Sequence, residues 1–339
     1  NLHRNKRSIT LNLKEPQARL ILHRLVETAD VVVENFRPDV KFRLGIDYET
    51  LKVSNPGLIY ASISGFGQTG PLANRPGFDQ IAQGMGGLMS LTGIPDGQPG
   101  GEPMKAGVAV SDLITGMYAT SAILAAIEHR HISGKGQYID LALLDCTVAL
   151  TSYMSMNYFL SGVIPQRMGN AHSNMVPYQV FKVADGNMIV AVGNDSQFVS
   201  LCKVIGQPEL GTDERFHSSG QRNVNRHILV PIIAEALIKR NMNDWVALMD
   251  AANVPCGPIN NLKQVFEHEQ VIHRNLKRSL PHGIGVQAPA VASPMNFSDT
   301  PIQHERSAPV LGEHSRDVLE NVLKMDKQKI DELASKGII

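Results

Sequence analysis

SITLNLKEPQARLILHRLVETADVVVENF, residues 8–36, carries two periodicities in succession. Residues 8–13 alternate apolar and polar side chains, the period of a half-buried strand. Leu20, Ile21, Leu25 and Ala29 then recur at helical spacing over 16–28, and 31–33 form a short apolar run. Strand, helix, strand in that order predicts a βαβ unit, because a parallel pair needs a crossover long enough to bring the chain back to the same end of the sheet. Further along, the pattern predicts a helix near 40–53, a strand over 58–64, a glycine-rich loop and a helix from about Phe78. A strand ending at Asp112, a long helix to about His131 and a strand over 137–144 follow. This alternation predicts an α/β fold, a parallel sheet wrapped by helices, in which ligands gather outside the carboxyl ends of the strands.

Near residue 175 the pattern changes. FKVADGNMIVAVG (181–193) predicts a hairpin turning at Asp185-Gly186. Helical spacing returns over 196–204, 224–240 and 243–252, the last with Asn243 as its expected cap. At 339 residues the chain exceeds what one core usually serves. The expected division is a large α/β domain over 1–177, a small α+β domain over 178–278, and a Pro-rich linker over 279–339 that ends in a charged helix and returns to the large domain. The chain opens on strand-like sequence without an initiator Met, so the reading expects an N-terminal part to precede it.

Lys plus Arg and Asp plus Glu each number 32, which leaves no charged field to recruit nucleic acid. The apolar stretches, such as that around Ile123, are expected to fall short of a bilayer span, so no membrane partner is expected. Cys146, Cys202 and Cys256 are odd in number and lie in apolar surroundings, which fits a reduced, intracellular compartment. Met154, Met156 and Met168 are expected as core filler.

Two motifs are decoys. GFGQTG (65–70) matches a dinucleotide fingerprint, but its last glycine should open a helix toward pyrophosphate, and PLANRPG follows it with Pro71 and Pro76. HEQVIH (268–273) is one residue too long to place two histidines on one helical face for zinc.

GVAVSDLITG (107–116) sets Asp112 where a long apolar helix begins. One reading makes it a helix cap. The other makes it a nucleophile, since an aspartate is ionised at neutral pH and helix amides beside it can hold an oxyanion formed when it attacks a carbonyl. VVVENFRPDVKFRLGI (31–46) places Asn35, Phe36, Arg37 and Arg43 just past a strand. They form either a turn and a solvated helix face, or a crevice where Phe36 stacks on a flat ring and Arg43 meets phosphate. RPGFDQIAQ (75–83) sets Phe78 and Asp79 at a helix start, where Asp79 alone would be a cap.

These stretches, taken with NKRSITLNLK, LIYASISGFGQTGP, GKGQYIDLALLD, NVPCGPINNLKQV and LGEHSRDVL, resemble the successive motifs of the class III coenzyme A transferases, in order and over nearly the whole chain. The resemblance implies a Rossmann-like large domain with a parallel sheet built from both chain ends, a smaller middle domain and an interlocked homodimer. It selects Asp112 as the nucleophile, with Asp140 and Asp145 read as strand-end and capping residues. It carries CoA contacts onto Leu11 to Lys14, Asn35 to Arg37, Arg43 and the segment from Pro76 through Phe78 to Asp79, and places Gly193 in a loop over the site. The family begins with a further βα segment that helps hold CoA.

The activity implied is CoA transfer from succinyl-CoA to a dicarboxylate such as glutarate, through an aspartyl anhydride and an aspartyl-CoA thioester. The CoA thioester is then the substrate, and no permanently bound cofactor or metal is required. The resemblance also implies the mitochondrial matrix. Lys6, Arg7, Arg75 and Arg167 are the candidate partners for the acceptor's distal carboxylate. The rival enzymatic reading is an α-methylacyl-CoA racemase, which places a His where this chain has Phe78. A non-catalytic CoA-binding protein is the third reading.

Overall fold

A computed structural model describes residues 3–339, and their contacts gather into two compact units. The first runs to Ser90, resumes over 104–165 and closes with 268–339; the second holds 91–103 and 166–267. The divisions therefore fall at 165/166 and 267/268 rather than the expected 177/178 and 278/279. The excursion at 91–103 is tied to its own unit by a bridge between Gly93 and Pro103 and by the Gly169 N–H donating to the Gly93 carbonyl.

In the first unit, β1 (Val31–Glu34), β2 (Ile59–Ser64) and β3 (Tyr138–Ala142) form a parallel sheet in the order β1-β2-β3. The central β2 is buried along nearly its whole length, as a strand covered on both faces should be. Pro16 and Pro38 sit at the first positions of α1 (Pro16–Val26) and α2 (Pro38–Leu44), where a missing N–H is no loss. Gly45, at φ +64°, ends α2. Asp47 caps α3 (Tyr48–Leu51) by accepting from the Thr50 N–H. There follow α4 (Asp79–Met85), α5 (Leu88–Leu91), α6 (Val110–Ser133), α7 (Leu143–Leu150) and α8 (Ser152–Ser161).

Four expectations are corrected here. Residues 8–13 are not a strand. Their donors go singly to the C-terminal segment, Thr10 N–H to Ser315 Oγ at 3.0 Å and Asn12 N–H to the Ile338 carbonyl at 2.8 Å. The sheet itself draws on residues 31–142, while the C-terminal end joins through a core in which Ala18 and Ile21 of α1 pack with Leu319, Leu323, Ile330 and Leu333. No strand precedes Asp112 either. Residues 104–109 run irregularly and bend at 107–108, and the Ala106 N–H donates to Gln83 Oε1 where a strand neighbour would otherwise accept. Finally, α6 is long and apolar enough by composition to cross a bilayer. Here it packs on β2, β3, α4 and α7.

In the second unit, β4 (Tyr178–Val183), β5 (Gly186–Ala191) and β6 (Cys256–Pro258) make an antiparallel sheet. Val183 pairs with Gly186, so the turn residues are Ala184 and Asp185 and Gly186 already belongs to the return strand. Its core of Phe181, Met188, Val190, Phe198, Leu229 and Trp245 is shared with α9 (Asp195–Val204), α11 (Arg226–Leu237) and α12 (Met242–Ala251); the short α10 (Ser219–Val224) precedes α11. Asn243 lies inside α12 and does not cap it; Asp185 Oδ1 instead accepts from the Met242 N–H at 2.8 Å.

The three cysteines are free thiols, and burial raises each, Cys202 to about 12. Met156 is half exposed rather than core.

Candidate active site

At the carboxyl end of β2 the chain enters the loop 65–78. Gly65 and Gly77 meet backbone to backbone: a Cβ on Gly65 would lie 2.5 Å from the Gly77 Cα. The glycines of GFGQTG thus serve close approach and the left-handed turns at Gly67 and Gly70, and turns rather than a helix follow Gly70. The Gln68 N–H donates to Asp140 Oδ2 at 3.0 Å, and Arg75 lies over the Phe66 ring. Asp140 is therefore a mid-strand anchor for this loop and not a strand-end residue. Asp145 lies in the first turn of α7. His268 caps its own short helix, its Nδ1 accepting from the Gln270 N–H.

Closing the loop puts Asp79 at the first position of α4, beside the start of α6. Asp79 Oδ1 accepts from the Ser111 N–H at 2.8 Å and the Asp112 N–H at 3.3 Å. The cap of α6 is thus supplied from another helix, and Ala109, at the N-cap position, makes no side-chain cap bond. Asp112 is the third residue of the helix, so the capping reading of this residue is corrected. Its carboxylate makes no hydrogen bond among the described residues and its side chain is exposed. Below it, Thr147 Oγ1 donates to Ser111 Oγ at 2.7 Å, and Gly86 lets α4 approach α7, since a Cβ there would lie 2.7 Å from Thr147 Cγ2.

Partial desolvation, and then the Asp79 charge, raise the Asp112 carboxyl above its usual 3.8. A carboxylate so placed is unpartnered, somewhat more basic than usual, and set in the first turn of a helix. The first two properties suit a nucleophile toward an activated carbonyl; the expected oxyanion site is corrected, because the amides beside it are already taken, Ser111 and Asp112 by Asp79, Val110 by Val108 and Leu113 by Ala109.

The residues expected to hold CoA lie mostly in the same unit. Asn35 Nδ2 donates to the Ile63 carbonyl at 2.7 Å, joining the ends of β1 and β2. The Phe36 N–H donates to Glu34 Oε2, and its ring is half exposed. Arg37 and Arg43 are exposed and share Asp39 at 3.4 and 3.8 Å, a weak surface pairing that a phosphate could displace. Phe78 is 71% exposed, an apolar ring left open beside Asp79. Lys14 is exposed, but Leu11 packs on the C-terminal core. Gly193 belongs to the second unit, where its N–H donates to Gln197 Oε1. Of the candidate cations for a distal carboxylate, Arg7 pairs with Asp317 and Arg167 with Asp96, while Lys6 leans on His3.

The sequence gives no warning of one feature beneath this surface. Glu34, Ser62 and Asp140 lie in register across the sheet. Lys41 is 2% exposed, and the three N–H donors of its ammonium are shared among four acceptors: Glu34 Oε1 (3.2 Å), Ser62 Oγ (2.9 Å), Gln68 Oε1 (2.7 Å) and the Tyr138 hydroxyl (3.1 Å). A cavity of about 310 Å³ opens beside it, walled by Phe42, Tyr48 and Tyr138.

A family model described as CoA-transferase family III matches residues 1–315. The chain is 48% identical over 317 residues to the succinate–glutarate CoA-transferase of Agrobacterium fabrum, covering 94% of this chain and 78% of that enzyme. It is 38% identical over 342 residues to the succinyl-CoA:glutarate CoA-transferase of Homo sapiens, covering 100% and 76% respectively. Among solved structures, a CAIB/BAIF family protein from Brucella suis is similar at a TM-score of 0.79 and 44% identity, over 93% of this chain and 81% of that one. A free aspartate in the first turn of an apolar helix, on a parallel α/β sheet, thus accompanies similarity along essentially the full sequence, and the chain belongs to the class III CoA-transferase family.

Proposed function

We propose that this chain moves CoA from succinyl-CoA to glutarate or a similar dicarboxylate, with Asp112 as the covalent nucleophile. The observation that carries the reading is the unpartnered Asp112 carboxylate on a helix start whose amides Asp79 already satisfies. The names of the relatives supply the substrate class.

An Asp112 oxygen attacks the thioester carbonyl, the C–S bond breaks, and CoA leaves as thiolate from an aspartyl-succinyl anhydride. The thiolate attacks the aspartyl carbonyl, the anhydride C–O bond breaks, and succinate departs from an aspartyl-CoA thioester. A glutarate carboxylate displaces the thiolate to form a second anhydride, and the thiolate then takes the glutaryl carbonyl and frees Asp112. Protons, electrons and thioesters balance over the cycle, so the chain's task is to position groups and exclude water. Phe78, exposed at the start of α4, and the aromatic Phe36 offer apolar cover, and Arg37 and Arg43 offer charge for the CoA phosphates.

Isotopic exchange tests the reading. Labelled succinate should enter succinyl-CoA in the absence of any acceptor, and glutarate should draw CoA away; CoA binding without exchange would leave a binding protein instead.

The homodimer belongs to the same proposal. No residue of α8 is buried, and Met156, Tyr158, Phe159 and Leu160 stand exposed on it, as do Leu113, Met117 and Leu124 on α6. Such faces are covered in a stable protein, and a second copy is the cover proposed. Sedimentation equilibrium should give a dimer that persists on dilution; a monomer would remove this part.

A further inference from the structure

Gln83 lies in α4 with 0% of its surface exposed and takes no part in the chemistry above. Its amide is engaged at both ends by different elements. Nε2 donates to Asp79 Oδ2 at 2.7 Å, and Oε1 accepts from the Ala106 N–H at 2.9 Å. Asp79 in turn holds the Ser111 and Asp112 amides with its other oxygen. One buried side chain therefore ties down both ends of the bend from Ala106 to Asp112, the first directly and the second through a carboxylate. An amide can donate to a carboxylate while accepting from a backbone N–H, whereas an ionised carboxylate can only accept.

We infer that Gln83 is a positioning residue for transfer: it fixes the Asp79 carboxylate and the entry to α6, and so sets where the Asp112 side chain points. The inference rests on the reading that Asp112 carries the acyl group. Misplacing a reacting group by an ångström can cost about 100-fold in rate, so loss of this tie should fall on kcat.

The test compares Gln83→Leu and Gln83→Glu with the wild-type enzyme across pH. Gln83→Leu removes both bonds, and kcat is expected to drop roughly 10- to 100-fold at every pH. KM for succinyl-CoA should move by no more than about threefold, because an interaction that orients the nucleophile is not uniform substrate binding. Gln83→Glu keeps the shape. Its ionised carboxyl repels Asp79, but once protonated its O–H donates to Asp79 while its carbonyl accepts from Ala106. The ratio of its kcat to wild type should therefore recover as pH falls. Taking the ratio cancels what the substitution leaves unchanged, including the ionisable groups Lys105, Asp145 and Cys146 on the segments packed against α4, whereas Asp79, bonded to residue 83 itself, and through it Asp112, belong to the effect being read.

A purely structural role gives no such recovery. A Gln83→Leu enzyme with kcat within twofold of wild type, or a Gln83→Glu deficit indifferent to pH, overturns the inference. If Gln83→Leu does not fold, the Gln83→Glu profile decides alone. Acyl mapping on the wild type separates the two levels: no acyl group on Asp112 defeats the underlying reading, whereas acylated Asp112 with fast Gln83 variants defeats this inference only.

Discussion

Asp112→Asn is expected to lower CoA transfer by at least about 1,000-fold, because the amide cannot form the anhydride on which every later step of the proposed cycle depends. The fold should not suffer. Asp79 bonds to the backbone amides at 111 and 112, and neither bond involves the side chain replaced. The electrostatics point the same way. Folding raises the Asp112 pKa above 3.8, by desolvation first and by Asp79 second. The native state therefore holds the proton more tightly than the unfolded chain does, and stability is lost as pH rises through the window between the two values. At neutral pH the ionised side chain slightly opposes folding, so the variant's Tm should equal or exceed that of wild type. The same shift predicts that kcat/KM of the wild type falls on the acid side at a pH above 3.8, as the nucleophile is protonated. Transfer at the wild-type rate by Asp112→Asn, in protein verified by mass, would reject the assignment.

Lys41→Met is expected to destabilise the protein by about 3–5 kcal/mol, through Glu34 rather than through the lysine itself. Glu34 is 7% exposed, and removing Lys41 strands its charge in the sheet with only two neutral groups, the Ser62 hydroxyl and the Phe36 N–H, still donating to it. Changing both members should relieve the penalty: Lys41→Met combined with Glu34→Gln keeps an acceptor for Phe36 and leaves no buried charge, so most of the loss should return. Urea unfolding of the two singles and the double would measure this. A Lys41→Met protein within about 1 kcal/mol of wild type would mean that Glu34 finds another partner or takes up a proton. The consequence reaches function because Glu34 also holds the turn that presents Phe36 and Arg37.

What the sequence made legible was local. Pro16 and Pro38 mark helix starts because proline fits a first turn wherever it occurs, and the apolar runs of β1, β2 and β3 could be read from their own composition. The failures share one cause, a partner distant in the chain. Residues 8–13 alternate like a strand, yet Ser315 and Ile338 take up their backbone donors. The segment before Asp112 is equally strand-like, yet Gln83, some twenty residues back, intercepts its amide. Asp112 itself looked like a cap because aspartates at helix starts usually are, and only the arrival of Asp79 from α4 releases it from that duty. Lys41 is the extreme case: its charge argues for solvent, and four acceptors, one each from β1, β2, the loop 65–78 and β3, reverse the argument. The candidate nucleophile was therefore visible in the sequence, but the apparatus that leaves it free was not.

Peptide mapping of enzyme quenched with hydroxylamine during turnover of succinyl-CoA and glutarate bears most directly on all of this, since the reagent converts an acyl-activated carboxylate to a hydroxamate. The expected result is a substrate-dependent hydroxamate on Asp112, with Asp79, Asp140 and Asp145 unchanged. An active enzyme whose Asp112 emerges unmodified, or whose label sits on one of the other three, would contradict the account.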